Sequence, residues 1–148
     1  DAHRRSGYDR LLQAAGSYGA AAVQQRLTRR YIAEKNIARA RELIAQHDYY
    51  GAILLLKPAL QWHPELREAW FLLGSCQERN PRWRRDAAES FQMALSIDPN
   101  FIDAMISLGD LYKTQGLVSR AQSCYEDVLK ISAENQQAKS RLQALRKR

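Results

Sequence analysis

The stretch FQMALSIDPN, residues 91 to 100, joins a helix-spaced apolar face to an abrupt stop. Phe91, Ala94, Leu95 and Ile97 recur at the spacing that places side chains on one side of an α-helix. Pro99 cannot continue that helix, because it has no amide proton and its ring crowds the preceding turn. We therefore expect a helix that ends just before the proline.

This arrangement occurs three times. Pro64 stands 35 residues before Pro99, and the apolar residues that lead up to each proline correspond. The three matching sets are Ala52, Leu56, Ala59 and Pro64; Ala87, Phe91, Ala94 and Pro99; and Ala121, Tyr125, Val128 and Ala133. Self-similarity at a fixed period of this length is typical of repeat architectures.

A second set of residues precedes each stop. WFLLG at 70 to 74 and MISLG at 105 to 109 are again 35 residues apart, and Ala40 is the small residue of a weaker first copy. Each unit is predicted to be two antiparallel helices, with turns at 46–50, 78–86 and 114–119. Gly74 and Gly109, facing Ala87 and Ala121, should let the paired helices approach closely. Stacking the three units would bury a continuous core.

The order of a large apolar residue, Leu-Gly, an aromatic residue, then Ala, an aromatic residue, Ala and Pro resembles the tetratricopeptide repeat. The resemblance implies an all-α solenoid of three repeats, at 33–66, 67–100 and 101–135. Residues 1–32 would form an N-terminal helical extension, in which glycines at 16 and 19 interrupt the pattern before a long helix over 20–46. Residues 136–148 would form a C-terminal capping helix, with Ala138, Leu142 and Leu145 on its apolar face.

The charge is concentrated at the two ends of the chain. Lys and Arg number 23 against 16 Asp and Glu, for a formal net charge of +7. Residues 1–30 hold six Arg against two Asp, and residues 136–148 hold five basic side chains and no acidic one. Because the middle is slightly acidic, it is not a groove for a polyanion. Binding of nucleic acid or an acidic surface through the basic ends is the alternative function.

The residues that could support catalysis are scattered. His3, His47 and His63 have no nucleophilic partner on the same element, and no Gly-rich loop follows a strand. Cys76 and Cys124 match no metal spacing and are expected to be buried free thiols, which suits a reducing compartment such as the cytoplasm. No apolar run approaches the length of a membrane span. We predict a protein without enzymatic activity, cofactor, metal or small-molecule substrate.

The resemblance also implies that the first helix of each pair lines a concave inner face. Equivalent positions there form three rows: Glu34, Glu68 and Asp103; Ile37, Phe71 and Ile106; and Arg41, Ser75 and Asp110. An acidic row beside an apolar row predicts a protein or peptide partner with apolar anchors and nearby Lys or Arg. The alternative is that Ile37, Phe71 and Ile106 pack only against neighbouring helices.

Some tetratricopeptide-repeat proteins grip a carboxylate-terminated chaperone tail with Lys, Asn and Arg at set positions of this face. The corresponding residues here are Ile37, Arg41, Leu72, Asp103 and Ser107. The resemblance therefore implies that the clamp is absent, and that a peptide ending in clustered acids would be repelled.

Residues 1–10, DAHRRSGYDR, are similar to the end of a J domain. That similarity implies a chaperone adaptor whose J domain lies upstream of this chain, whereas the alternative is an ordinary amphipathic helix. Three further side chains are assigned to packing. Trp83 is expected to pack over a helix start rather than stack on nucleic acid, and Trp62 and Ile97 are expected to belong to the core between repeats.

Overall fold

A computed structural model describes residues 9, 10 and 16–147 of the chain. All but the last two residues of the J-domain-like segment lie outside that range. Residues 16–147 form seven α-helices and a one-turn 3-10 helix at Pro81–Trp83, and none of the described residues lies in a β-strand. The α-helices are α1 (Gly16–Ala45), α2 (Tyr49–Trp62), α3 (Arg67–Gln77), α4 (Arg84–Ile97), α5 (Ile102–Thr114), α6 (Val118–Ile131) and α7 (Gln136–Arg146).

The helices pair in chain order. Helix α1 packs on α2, α3 on α4 and α5 on α6, while α3 also contacts α2, α5 contacts α4, and α7 contacts α6. The predicted all-α solenoid of helical hairpins is therefore confirmed. The division of the chain at residue 32 stays a prediction, because α1 runs through that point without a break.

The long helix expected over 20–46 starts earlier in the structure, since α1 spans Gly16–Ala45 and passes through Gly19 without a break. A glycine inside a helix costs only about 1 kcal/mol, which the propagation of a long helix can offset. Among the described residues, no helix has both the length and the apolar character needed to cross a bilayer.

The first and third hairpins turn with the same backbone geometry. His47 has φ of +62° and Gly116 has φ of +77°, the left-handed conformation common just after a helix. The amide of the next residue then reaches back to the helix: Asp48 N donates to Leu43 O at 2.8 Å, and Leu117 N donates to Tyr112 O at 2.8 Å. The Asp48 carboxylate also caps α2, accepting from the Gly51 amide at 2.9 Å.

The paired helices approach most closely at two glycines. A Cβ added at Gly74 would lie 2.7 Å from Cε1 of Phe91, and one at Gly109 would lie 2.6 Å from Cε1 of Tyr125. Both rings are fully buried. The close approach predicted at these glycines is thus present, but the side chains that press on them are the aromatic rings rather than Ala87 and Ala121.

The buried apolar residues form two clusters. One cluster joins α1, α2 and α3, and the other joins α4, α5, α6 and α7 with Phe71 packed at its edge. A buried polar pair lies between α3 and α4, where the Ser90 hydroxyl donates to Gln77 Oε1 at 2.6 Å. The second hairpin is therefore where the two clusters meet.

The core assignments of Trp62 and Ile97 are wrong. Trp62 is 43% exposed and Ile97 is 37% exposed. Each is the last residue of its helix, and more than a third of its surface is exposed to solvent. Trp83 is half-buried and stacks on Tyr50, with ring centroids 6.5 Å apart, so its packing assignment is confirmed.

The close approach at Gly74 is testable by adding one methyl group. Alanine favours a helix over glycine by about 1 kcal/mol, but overlap with a fully buried ring costs about 1 to 3 kcal/mol. Gly74→Ala is therefore expected to lower the free energy of unfolding, as measured by urea denaturation followed by circular dichroism. Combined with Phe91→Leu, which gives the methyl group room, the loss should be smaller than the sum of the two single losses. Strictly additive losses would show that the ring is not what excludes the methyl group.

Candidate functional site

The first row of the predicted inner face is exposed along its length. Glu34, Glu68 and Asp103 all have solvent-accessible side chains. Arg30 Nε lies 3.3 Å from Glu34 Oε1, and Arg41 pairs with Glu68 across the gap between α1 and α3. Asp103 has no ion-pair partner among the described residues. The row is acidic as predicted, but its first two carboxylates already have partners.

The second row is mostly buried. Ile37 is 7% exposed and Ile106 is 5% exposed, whereas Phe71 is half-buried. Both isoleucines pack into the two core clusters. For these two residues the prediction of an accessible apolar row is therefore wrong, and the packing alternative describes them. Within this row, only Phe71 offers apolar surface to a partner.

Phe71 is held in an aromatic group that links the second and third hairpins. Its ring centroid lies 5.2 Å from that of Phe101 and 6.0 Å from that of Phe91. The Arg67 guanidinium lies 5.0 Å from the Phe101 ring centroid and pairs with Asp98. These contacts fix the orientation of Phe71, so that its exposed edge is presented on a rigid support.

The third row makes internal contacts. Besides the Arg41–Glu68 pair, the Ser75 hydroxyl donates to the Phe71 carbonyl at 2.9 Å. Asp110 Oδ1 accepts from the Tyr125 hydroxyl at 2.5 Å and from Arg141 Nε at 2.6 Å. Asp110 therefore ties α5 to α6 and to the closing helix α7, a structural role that differs from the predicted contact with a partner.

The environment of this carboxylate changes two neighbouring groups. Burial and the bond to Asp110 raise the pKa of Tyr125 well above its usual range. The bond to Asp110 likewise raises the pKa of Arg141. Both partners thus keep their protons at physiological pH, and both donate continuously to Asp110. In the sequence alone, this contact is indicated only by Arg141, a basic residue on the apolar side of the capping helix α7.

The positions corresponding to a carboxylate clamp contain one cation. Of Ile37, Arg41, Leu72, Asp103 and Ser107, only Arg41 is basic, and its guanidinium is paired with Glu68. Leu72 and Ser107 are both half-buried. The inner face therefore offers one unpaired carboxylate and one engaged guanidinium at these positions.

The remaining reactive side chains are separated from one another. His47 Nδ1 lies 3.0 Å from the Tyr49 hydroxyl, and His63 Nδ1 lies 3.1 Å from Glu65 Oε1. Burial raises the pKa of both Cys76 and Cys124 to about 11, so that little thiolate exists at neutral pH. In the described part of the chain, no group of three or more His, Cys, Asp or Glu is placed to hold a metal ion.

Part of the basic excess is neutralised within the fold. In α7, Lys139 Nζ lies 3.0 Å from Glu134 Oε2, and Arg141 is bound to Asp110. Near the other end, Arg29 lies over the exposed Trp62 ring at 5.9 Å from its centroid. The side chains on which the polyanion alternative relies are thus partly engaged.

Taken together, these features define an all-α repeat solenoid with an inner face built by α1, α3 and α5. No protein-family model and no curated protein sequence matches the chain. Solved structures do match it, and they include several tetratricopeptide-repeat domains.

Three of these structures illustrate the likeness. The first TPR domain of Spaghetti (RPAP3), bound to the HSP90 peptide SRMEEVD, has a TM-score of 0.73 at 17% identity, over 80% of this chain and 95% of that one. The second TPR domain of human RPAP3, in complex with the HSP70 peptide SGPTIEEVD, has a TM-score of 0.73 at 15% identity, over 83% and 99%. MamA has a TM-score of 0.74 at 18% identity, over 98% and 80%. The fold of this chain is the tetratricopeptide-repeat fold.

The structural role of Asp110 can be separated from the surface role of Asp103 on the same helix. Asp110→Ala removes the acceptor of a buried tyrosine hydroxyl, which is expected to cost about 1 to 3 kcal/mol. It should also release α7, seen as faster amide hydrogen exchange over residues 136–146. Asp103→Ala, the matched control, should change the free energy of unfolding by less than about 0.5 kcal/mol. Equal losses in both variants would contradict the assignment of Asp110 to the fold.

Proposed function

We propose that the inner face binds a segment of another protein, and that the chain acts as an interaction scaffold without chemistry of its own. The observation that carries the proposal is the exposed Asp103 carboxylate, which has no ion-pair partner among the described residues. It lies two residues after Phe101, whose ring packs on the half-buried Phe71. An apolar anchor thus lies near a carboxylate that has no ion-pair partner among the described residues.

The register of the repeats supports the same proposal. Arg41 and Glu68 bridge the first and second hairpins. The equivalent pair between the second and third hairpins is Ser75 and Asp103, where serine cannot neutralise the carboxylate. A lysine or arginine of a partner would complete at Asp103 the contact that Arg41 completes at Glu68.

The partner chemistry we infer is opposite to that of the peptides bound by the RPAP3 domains. SRMEEVD and SGPTIEEVD both end in clustered acids. In this chain the corresponding face holds Arg41 engaged by Glu68, and Asp103 has no counter-ion among the described residues. A segment with an apolar anchor and a basic side chain therefore fits better than an acidic tail.

Two finer expectations belong to the same proposal. The absence of enzymatic activity is supported by the separated histidines and by thiols whose pKa is raised to about 11. The role of adaptor in a J-domain cochaperone depends on residues 1–10, and it stays a prediction.

The sign of the charge preference can be measured with two peptides of equal length. We expect the labelled peptide SRMKKVK, in which every acid of SRMEEVD is replaced by lysine, to bind more tightly than SRMEEVD itself. The reason is the unpaired carboxylate at Asp103, and the measurement is fluorescence anisotropy at about 150 mM salt, where the screening length is about 8 Å. Tighter binding of SRMEEVD would overturn the inferred partner chemistry.

A charge reversal then assigns the preference to the inner face. Asp103→Lys should weaken binding of SRMKKVK roughly tenfold, equivalent to about 1.4 kcal/mol. Glu126→Lys is the matched control, because Glu126 is an exposed residue of α6 whose side chain accepts from Gln122 on its own helix. If both variants weaken binding equally, the peptide responds to net charge rather than to the inner face.

A further inference from the structure

The outer sides of successive hairpins carry two grooves at equivalent positions. The first groove, of about 860 Å³, lies between α2, α3 and α4, and the second, of about 360 Å³, lies between α4, α5 and α6. Their linings correspond at the repeat spacing: Leu60, Trp70, Leu73 and Gln77 in the first match Leu95, Met105, Leu108 and Tyr112 in the second. The second groove therefore shows what the equivalent residues of the first groove would do if they were larger.

Two substitutions between the repeats account for the difference in size. Tyr112 fills the second groove: it is buried, and its hydroxyl accepts from Gln92 Nε2 at 2.9 Å. Arg120 closes that groove further, with its guanidinium 5.8 Å from the Tyr112 ring centroid. The first groove has the smaller Gln77 and Asp86 at these positions and stays open.

Gln77 places a polar group in the floor of the open groove. The residue is only 7% exposed, and its Oε1 accepts from the Ser90 hydroxyl. No hydrogen bond among the described residues involves its amide nitrogen, although the side chain lines the groove. Because that nitrogen is reached from the groove and has no acceptor among the described residues, it is free to donate to a ligand there. Leu60, Trp70 and Leu73 surround it with apolar surface, a combination typical of binding sites.

The rim of the groove carries a charge that the fold does not neutralise. Asp86 has no ion-pair partner among the described residues. Glu89 is 3.7 Å from Arg85 Nε, and both side chains are strongly exposed. Met93, also exposed, adds a flexible apolar side chain at the edge. Lys57 also lines the groove, so the lining carries two carboxylates against one ammonium group. A cation next to an apolar group matches the side of the rim that holds Asp86.

We propose that this outer groove is a second binding site, which takes a peptide segment of a partner protein. The segment places a large apolar side chain against Leu60, Trp70 and Leu73, a backbone carbonyl on the Gln77 amide, and a lysine or arginine beside Asp86. A peptide can supply all three groups within a few residues. The site shares no residue with the inner-face rows, so it does not depend on the function proposed for them.

The test uses the full chain and a defined set of probes. The probes are nine seven-residue peptides on an Ala/Ser background, each with one Phe, Leu or Trp and one Lys placed two, three or four positions later. Binding is followed by ¹H–¹⁵N NMR through the side-chain amide of Gln77 and the indole N–H of Trp70. At least one probe should shift both signals, and replacing its lysine by glutamate should weaken binding roughly fivefold. Failure of all nine probes to shift them would overturn the proposal.

Two variants copy the third hairpin into the second. Gln77→Tyr should fill the groove and weaken binding at least tenfold. Asp86→Arg changes only an exposed residue and should weaken binding of the lysine probes roughly fivefold, so it keeps the test decisive if Gln77→Tyr does not fold. Unchanged binding in folded Gln77→Tyr, or in Asp86→Arg, would overturn the proposal.

Asp103→Lys separates this site from the inner face. It should leave the Gln77 and Trp70 shifts and the affinity unchanged. If Asp103→Lys abolishes them while Gln77→Tyr does not, the probes bind the inner face and the outer site is wrong. The oligomeric state of the unliganded chain is measured by sedimentation. A dimer that Gln77→Tyr dissociates would show that the occupant is a second copy rather than a partner peptide.

Discussion

The distance between paired helices in the second and third hairpins is set by a glycine facing a buried aromatic ring. Gly74 meets Phe91, and Gly109 meets Tyr125, with no room for a Cβ between them. The ring then occupies the centre of the hairpin, and the smaller buried alanines lie on either side of it. Because both hairpins use the same contact, their first helices present corresponding faces, and the rows of the inner face follow from that correspondence.

Contacts between hairpins use the same side chains that a ligand would meet. Arg41 joins the first hairpin to Glu68 of the second, and Asp110 joins the third hairpin to Arg141 of the closing helix, while Arg67 pairs with Asp98 within the second hairpin. Exposed ion pairs of this kind contribute little stability individually, but each lowers the charge that a partner would feel. The inner face is consequently less acidic than its composition indicates. Asp103 is the exception, because Ser75 stands where Arg41 pairs with Glu68 in the preceding repeat.

The repeat period is sufficient to predict the all-α solenoid. The prolines that end helices and the glycines that let helices approach recur at fixed positions, which can be read directly from the sequence. Burial on the inner face is not predictable from the same period. The burial of Ile37 and Ile106 depends on how far successive hairpins rotate against each other, and no single repeat encodes that rotation. The expectation for Trp62 and Ile97 fails for a related reason: apolar character predicts burial only where a neighbouring element covers the helix end.

The candidate sites are predictable in part. The exposed carboxylates of the inner face follow from helical spacing, whereas the bond from Tyr125 to Asp110 joins two helices and needs coordinates to be seen. Gln77 gives no signal in the sequence, because glutamine there resembles an ordinary surface residue. Its significance emerges only when the equivalent position is seen to hold Tyr112, buried and hydrogen-bonded.

The division of the buried residues into two clusters has a consequence for how the solenoid opens. Helices α1–α3 and α4–α7 each hold their own apolar cluster, and repeat proteins gain stability from nearest-neighbour interfaces. The boundary between α3 and α4 carries a polar bond where the clusters could have been continuous. The contact between Gly74 and Phe91 nevertheless holds α3 closely against α4, so the second hairpin links the two clusters. Partial unfolding should therefore begin at an end of the solenoid, first of all with α7, which packs mainly against α6.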